Sequence, residues 1–190
     1  NNNIEKPKLK NIKNTNTKDK KISDFIENTI LPKKKWHKKF EKIWNPGEKQ
    51  SIEVLEKFMD QNISNYSKNR DIPSIFGTSK LSPHIAFGEI TSETIYSYFN
   101  NIKNKNINHR KFINEIGWRE FSYHLLNHFP QIEEQNLRTQ FDNFIWSNDK
   151  VKLEKWKKGE TGYPIVDAGM RELYETGWMH NRVRMITSSF

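Results

Sequence analysis

GETGYPIVDAGMRELYETGWMHNRVRMITSSF, residues Gly159 to Phe190, decides how this chain folds. A Gly turn leads to Tyr163-Pro164, a helix start at which proline forfeits no useful N–H. Gly177 then stops that helix, because glycine adopts the left-handed cap conformation at little cost. A second helix opens with Trp178-Met179-His180-Asn181-Arg182. On it, Met179, Val183, Ile186 and Phe190 form a packing face. Asn181, Arg184, Met185 and Ser188, at i, i+3, i+4 and i+7, share a second face. A lone Asn or Arg on a helix ordinarily faces solvent; an amide and several guanidiniums beside an apolar stripe form a less common pattern.

Toward the N-terminus the same helical periodicity recurs. Trp156 and Leu153 belong to a short helix ending at Gly159. The spacing predicts a long helix from about His109 to His128, stopping before Pro130. Thr91-Ser92 begins a helix through Ile95, Tyr98 and Phe99, and Ser82-Pro83 begins a short one that Gly88 ends. Asn45-Pro46-Gly47-Glu48 offers a cap residue, a proline at the first helical position and an acid at the third. Ile52, Leu55, Phe58 (or Met59), Ile63 and Tyr66 then supply an apolar stripe. No run alternates as a strand would, and no internal repeat is present. The expected fold class is all-α.

Residues 1–35 read as a basic, Asn/Lys-rich tether, with ordered structure expected over 36–190. Pro32 and the three lysines after it interrupt the weak apolar cluster Phe25, Ile26, Ile30 and Leu31. The net charge is +9, but residues 1–45 hold 13 Lys against 5 acidic residues, leaving a balance of only +1 over the rest. A solvated linker explains that basicity better than a dedicated nucleic-acid arm, so any DNA site must be argued from local residues. Six Trp, six Tyr and twelve Phe point to a true core or stacking surfaces. With no cysteine there is no disulfide frame or thiolate chemistry. The six His do not combine with acids at metal spacing, so no metal is expected. No apolar run is long enough to span a bilayer and no secretory leader is visible, which implies a soluble, cytoplasmic protein. The chain opens on Asn1, which points to a start that is not native.

Three clusters carry chemistry. Phe76-Gly77-Thr78-Ser79-Lys80-Leu81-Ser82 combines a small residue, three hydroxyls and an ammonium ahead of a helix start, a pattern that suits phosphate; as a bare pattern it is more often a turn. Glu115, Trp118, Arg119 and Ser122 share one face of the long helix, different from the packing positions Phe112, Ile116, Phe121 and Leu125. An ordinary i,i+4 Glu115–Arg119 pair beside a packed Trp118 accounts for that face at a few tenths of a kcal/mol, about 0.3. Tyr66 suits a helix-face core and Arg70 a solvated charge. Trp146 suits a packing role by spacing.

The full run from Gly162 to Met185, together with residues 66–82 and 114–125, resembles the DNA photolyase and cryptochrome family. Within it, the chain is more similar to a class I type cyclobutane pyrimidine dimer photolyase, in its FAD-binding helical domain, than to the cryptochromes. The resemblance implies that Tyr66, Thr78, Ser79, Lys80, Leu81, Ser82, Glu115, Trp118, Arg119, Ser122, Asn181 and Arg184 hold FAD. Lys80 stands where the family commonly has Arg. It implies that Arg70, Trp118, Arg119, Trp178, Asn181, Arg182 and Met185 meet DNA or its lesion. Glu115, Asn181 and Met185 become catalytic contacts to the dimer, and Trp146 the outermost member of an electron-transfer chain of tryptophans. Met179-His180-Asn181-Arg182 differs from the His-His pair of (6-4) photolyases and from the acid that plant-type cryptochromes tend to carry at Asn181.

The implied activity is light-driven repair of pyrimidine dimers in DNA by electron transfer from reduced FAD, in a monomeric protein without membrane contact. Two alternatives stand beside it: a cryptochrome-type flavin photoreceptor, and a helical module that binds DNA or protein without flavin. The resemblance also implies that an α/β domain, possible home of an antenna pigment, precedes Asn1, and that the rest of the helical domain follows Phe190. On that expectation the 190 residues hold half of a pocket, leave Arg184 without its acid, and bind FAD poorly on their own.

Overall fold

The computed structural model describes Thr29 and residues 33–190. The expected tether over 1–35 and its apolar cluster lie, but for Thr29 and residues 33–35, outside the described residues. Among the described residues every regular element is helical. A 3-10 helix at Trp36–Lys42 leads into α1 (Glu48–Gln61). A 3-10 turn at Ile63–Asn65 and α2 (Tyr66–Asn69) follow, then α3 (Ser82–Ala86) and α4 (Ser92–Asn100). The long α5 (Ile107–His128) is followed by 3-10 turns at Pro130–Glu133 and Thr139–Phe141. The last three are α6 (Lys150–Lys158), α7 (Pro164–Thr176) and α8 (Asn181–Ser189). The all-α expectation holds.

Local chemistry sets these boundaries. Thr91 Oγ1 accepts the Thr94 amide at 3.1 Å, and Asp149 accepts those of Val151 and Lys152 at 2.9 and 3.0 Å. Each satisfies helix donors that have no intrahelical partner. Asn106 and His109 cap α5 reciprocally, so that helix starts two residues before the expected His109. Gly159 and Gly177 end α6 and α7 at φ +65° and +72°. Two further starts differ from the sequence reading. α1 begins at Glu48, because Gly47 at φ +123° breaks the helical path and leaves Pro46 outside. α8 begins only at Asn181, because the Trp178 amide bonds to Thr176 Oγ1 and keeps Trp178-Met179 in the connection.

Two cores result. In the first, Leu55 and Phe58 of α1 meet Tyr66, Leu81, Ile85, Ile95 and Phe112. The second joins Val166 and Met170 of α7 to Met179 and Val183, with Trp156 against them. The packing faces depart from expectation at three positions: Phe121, Ile186 and Phe190 are exposed. On α8 the buried line is Val183 and Thr187, continued by Met179 of the connection, because α8 crosses α7 at Gly169, beside Val183 and Thr187. On α5, Phe121 stands edge-on to Trp118, 5.8 Å between ring centroids, outside the first core. Trp156 Nε1 donates to the Thr187 carbonyl at 2.9 Å and ties α6 to α8.

The 3-10 helix and the segment after it stitch the cores together. Trp44 Nε1 donates to the Thr176 carbonyl at 2.6 Å. Lys39 pairs with Glu175 at 3.3 Å and sits 3.4 Å from the Tyr174 ring centre. Asp167, which the sequence reading passed over, clamps the Gly turn to α7 by accepting the Thr161 and Gly162 amides and the Thr161 hydroxyl. The Thr161 hydroxyl bond, then the two amides, hold its carboxyl below the usual range.

Candidate functional site

Between the two cores lies a cavity of about 210 Å³. The loop Thr78–Ser82 forms one wall; Tyr66, Arg70 and Glu115 form a second; Trp178, Asn181 and Arg184 close the third. The sequence-predicted residues on these walls are thus brought together from four separate parts of the chain. Thr78, Ser79 and Lys80 also border a larger adjoining cavity of about 600 Å³ beneath α1.

The loop is held in an uncommon shape. Lys80 lies at φ +55°, the only non-glycine residue with positive φ among the described residues. Such a backbone costs about 1 kcal/mol per residue and persists only where its surroundings fix it. The fixing is visible: its ammonium lies 5.1 Å from the Phe76 ring centre and 4.8 Å from that of Trp178. Gly77 has a different role from the one its sequence suggested. A Cβ there would meet Asn69 O at 2.5 Å, so its close approach is to the chain's own α2 rather than to a ligand. Ser79 Oγ accepts from the Leu81 amide at 3.4 Å; Leu81 itself is buried in the first core.

Arg70 is buried, 8 % exposed, and is no solvated charge. Its Nη1 pairs with Glu115 Oε1, and its guanidinium lies 5.5 Å from the Tyr66 ring centre. The Glu115 hydrogen bond raises the Arg70 pKa further above its ordinary value. Tyr66 packs edge-on against Phe58 and Phe112 at 5.5 and 5.6 Å and also lines the cavity, so core and site readings coincide in one side chain. Burial, above all, pushes its pKa to about 12 and keeps the phenol protonated.

Other predicted residues stand outside the cavity lining. Arg119 turns toward α4: Nη1 donates to Glu120 Oε1 at 2.6 Å and to Ser92 Oγ at 3.5 Å, and the guanidinium covers the Tyr123 ring. The proposed i,i+4 Glu115–Arg119 pair is therefore replaced by Glu115–Arg70 and Arg119–Glu120. Trp118 is exposed, and Ser122 Oγ donates back to the Trp118 carbonyl. Met185 is exposed on α8, with Arg182 Nη1 at 3.6 Å from its sulfur. Arg182 is held by Asp71, another residue the sequence reading missed. Trp146 is exposed, its ring 4.7 Å from that of Phe144. Arg184 donates to the Met179 carbonyl at 3.2 Å and, among the described residues, has no carboxylate partner within ion-pair distance.

His180 sits just behind this wall, 2 % exposed, where its Nδ1 accepts the Arg182 amide and caps α8. Burial pushes its pKa down, against the opposing pull of the Arg70 carbonyl. The unfolded chain therefore binds a proton that the folded one resists. The His180 contribution is complete above pH about 6.5 and falls away below it, as pH approaches the depressed folded value. His180→Asn, which retains a capping oxygen, is expected to show a smaller loss of Tm between pH 7.5 and 5 than the wild type. An unchanged pH profile would refute this assignment.

No group of three or more His, Asp or Glu is placed to hold a metal among the described residues, and no helix there is long and apolar enough to cross a membrane. The cavity has instead the chemistry of an anion and aromatic-ring site: three cations, one carboxylate, three aliphatic hydroxyls, a phenol and an indole.

Residues 112–190 match the family described as the FAD binding domain of DNA photolyase. Over 178 residues the chain is 44 % identical to a deoxyribodipyrimidine photo-lyase of Agrobacterium fabrum, covering 91 % of this chain and 36 % of that protein. It is 38 % identical to cryptochrome-2 of Arabidopsis thaliana over 77 % of this chain and 26 % of the relative. Its fold matches the crystal structure of a bacterial class III photolyase from Agrobacterium tumefaciens with a TM-score of 0.82 and 44 % identity, covering 89 % of this chain and 35 % of that one. That protein is of class III, where the sequence reading named class I. The chain spans about a third of the length of these relatives. A helical cavity walled by the loop 78–82, α5 and the start of α8, in a chain this similar to such proteins, has one account: the chain belongs to the DNA photolyase and cryptochrome family.

Proposed function

We propose that the protein carrying this chain repairs cyclobutane pyrimidine dimers in DNA, using light and reduced FAD. The observation that carries this reading is the single cavity shared by the 78–82 loop, Glu115 and the Trp178–Arg184 segment. FAD fits the donor set: hydroxyls and the Lys80 ammonium suit a diphosphate, and the net positive lining suits a reduced, anionic ring. When bound, FAD supplies the photoexcited electron that the dimer accepts, so the reaction has no net redox change.

The chain's own residues do the rest. Thr78, Ser79, Lys80 and Ser82 hold phosphate oxygens. Arg184, lacking a carboxylate partner, offers positive charge beside Asn181. Arg70 fixes the Glu115 carboxylate at the cavity wall, where it accepts hydrogen bonds from a pyrimidine. Exposed Trp118 and Met185 and half-buried Trp178 offer apolar contact that excludes water from a flipped base pair. Arg182 meets the DNA at the rim.

The test illuminates the protein, at its natural length and loaded with reduced FAD, in the presence of dimer-containing DNA. Dimers are expected to disappear in blue light and persist in the dark. No light-dependent loss despite bound reduced FAD would overturn repair and favour a cryptochrome-type photoreceptor.

A further inference from the structure

One carboxylate oxygen organises two arginines, Arg70 of the cavity wall and Arg182 outside its lining. Asp71 Oδ1 lies 2.9 Å from Arg182 Nε and 2.8 Å from Arg182 Nη2. The same oxygen stands 3.6 Å from Arg70 Nε, while Arg70 Nη1 pairs with Glu115. A ladder of alternating charge, Glu115–Arg70–Asp71–Arg182, thus runs from α5 inside the cavity to α8 at its rim. Asp71 and Arg182 are 111 positions apart, so the contact joins the two halves of the fold.

The geometry points to Asp71 as a specificity-determining, positioning residue for the entry of damaged DNA, an inference that rests on the DNA-repair reading above. Two of the three guanidinium nitrogens of Arg182 are engaged by Asp71. The third, Nη1, is left beside the exposed Met185 sulfur, 3.6 Å away. A free arginine takes any phosphate from any direction, and that binding is independent of sequence and lesion. Held by Asp71, Arg182 has one directed edge to offer and much of its charge compensated. Ordinary duplex, which stays outside the cavity, gains little from it. A strand whose unstacked bases have entered beside Met185 meets Nη1 at a fixed position. Asp71 therefore lowers affinity for intact DNA while retaining affinity for the distorted lesion.

The experiment measures binding of the natural-length protein to two duplex oligonucleotides of equal sequence, one intact and one with a single thymine dimer, across a salt series. Asp71→Asn is expected to bind intact duplex about three- to tenfold more tightly at low salt, with a log K against log [salt] slope steeper by about 0.9, as for one further phosphate contact. The preference for dimer DNA is expected to fall about tenfold. Asp71→Glu, which keeps the charge, is expected to restore the salt slope. In an Arg182→Ala background, Asp71→Asn is expected to change neither quantity, since the effect runs through Arg182.

An unchanged preference in Asp71→Asn overturns the role of Asp71 and leaves the repair reading standing. So does equal weakening on both duplexes, or a full effect in the Arg182→Ala background. A wild type with no preference for dimer DNA sinks the repair reading itself, and this inference with it.

Discussion

Glu115→Ala is expected to lower the stability of the protein by about 3 kcal/mol, the lower end for removing one partner of a buried ion pair. Arg70 is the reason. It is 8 % exposed, and once Glu115 is gone its charge has only Asp71 nearby, at 3.6 Å. The reverse truncation is gentler, because Glu115 is more exposed and rehydrates when Arg70 is removed. Glu115→Gln retains a hydrogen-bond acceptor while losing the charge, and should fall between, at about 1–2 kcal/mol. Denaturant midpoints at constant slope measure all three. A Glu115→Ala protein within about 0.5 kcal/mol of wild type would mean that water reaches Arg70 and that the pair is not a structural element. Under the proposed function, repair activity in the Gln variant of the natural-length protein separates a contact of the carboxylate with substrate from its hold on Arg70.

The second large effect is expected at Gly169. A Cβ there would overlap Val183 Cγ1 and come within 3.2 Å of Thr187 Cγ2 and 3.5 Å of Met179 Sδ. Val183 has no easy escape, because a β-branched side chain on a helix has one strongly preferred rotamer. Gly169→Val is expected to force α7 and α8 apart and cost about 3 kcal/mol, the upper end for overpacking. That corresponds to a Tm lower by roughly 6–12 °C. Gly169→Ala should cost less, since replacing a mid-helix glycine returns about 1 kcal/mol of propensity. Adding Val183→Ala to Gly169→Ala should recover part of the loss. If the two substitutions prove additive, the proposed overlap is not what limits the site.

Helices were readable from the sequence because their signals are local. Thr91, Gly159 and Gly177 act on backbone groups within a few residues, so their meaning is carried by the string itself. The packing faces were only half legible. Periodicity assigned Val183 and Met179 to one side of α8, but it also assigned Ile186 and Phe190, which are exposed. Which edge of a stripe is covered depends on where the neighbouring helix crosses, and here Gly169 sets that crossing. The cavity itself was visible through family resemblance more than through physics. Its loop read as an ordinary turn until Lys80 was seen in a left-handed backbone between two rings. Contacts between distant positions left no trace in the string. Arg70 read as solvated and Asp71 went unremarked, because Glu115 and Arg182 lie far along the chain from them.

Under the proposed function, Lys80 also bears on how fast and how cleanly a phosphate docks. Lysine is a poor choice for an ordered site because its long stem has about 2 kcal/mol of rotamer freedom to lose. Here the rings of Phe76 and Trp178 have already narrowed that freedom before any phosphate arrives. The entropy normally lost at docking has been transferred to folding. The cation of the 78–82 loop is thus a flexible ammonium stiffened by its surroundings.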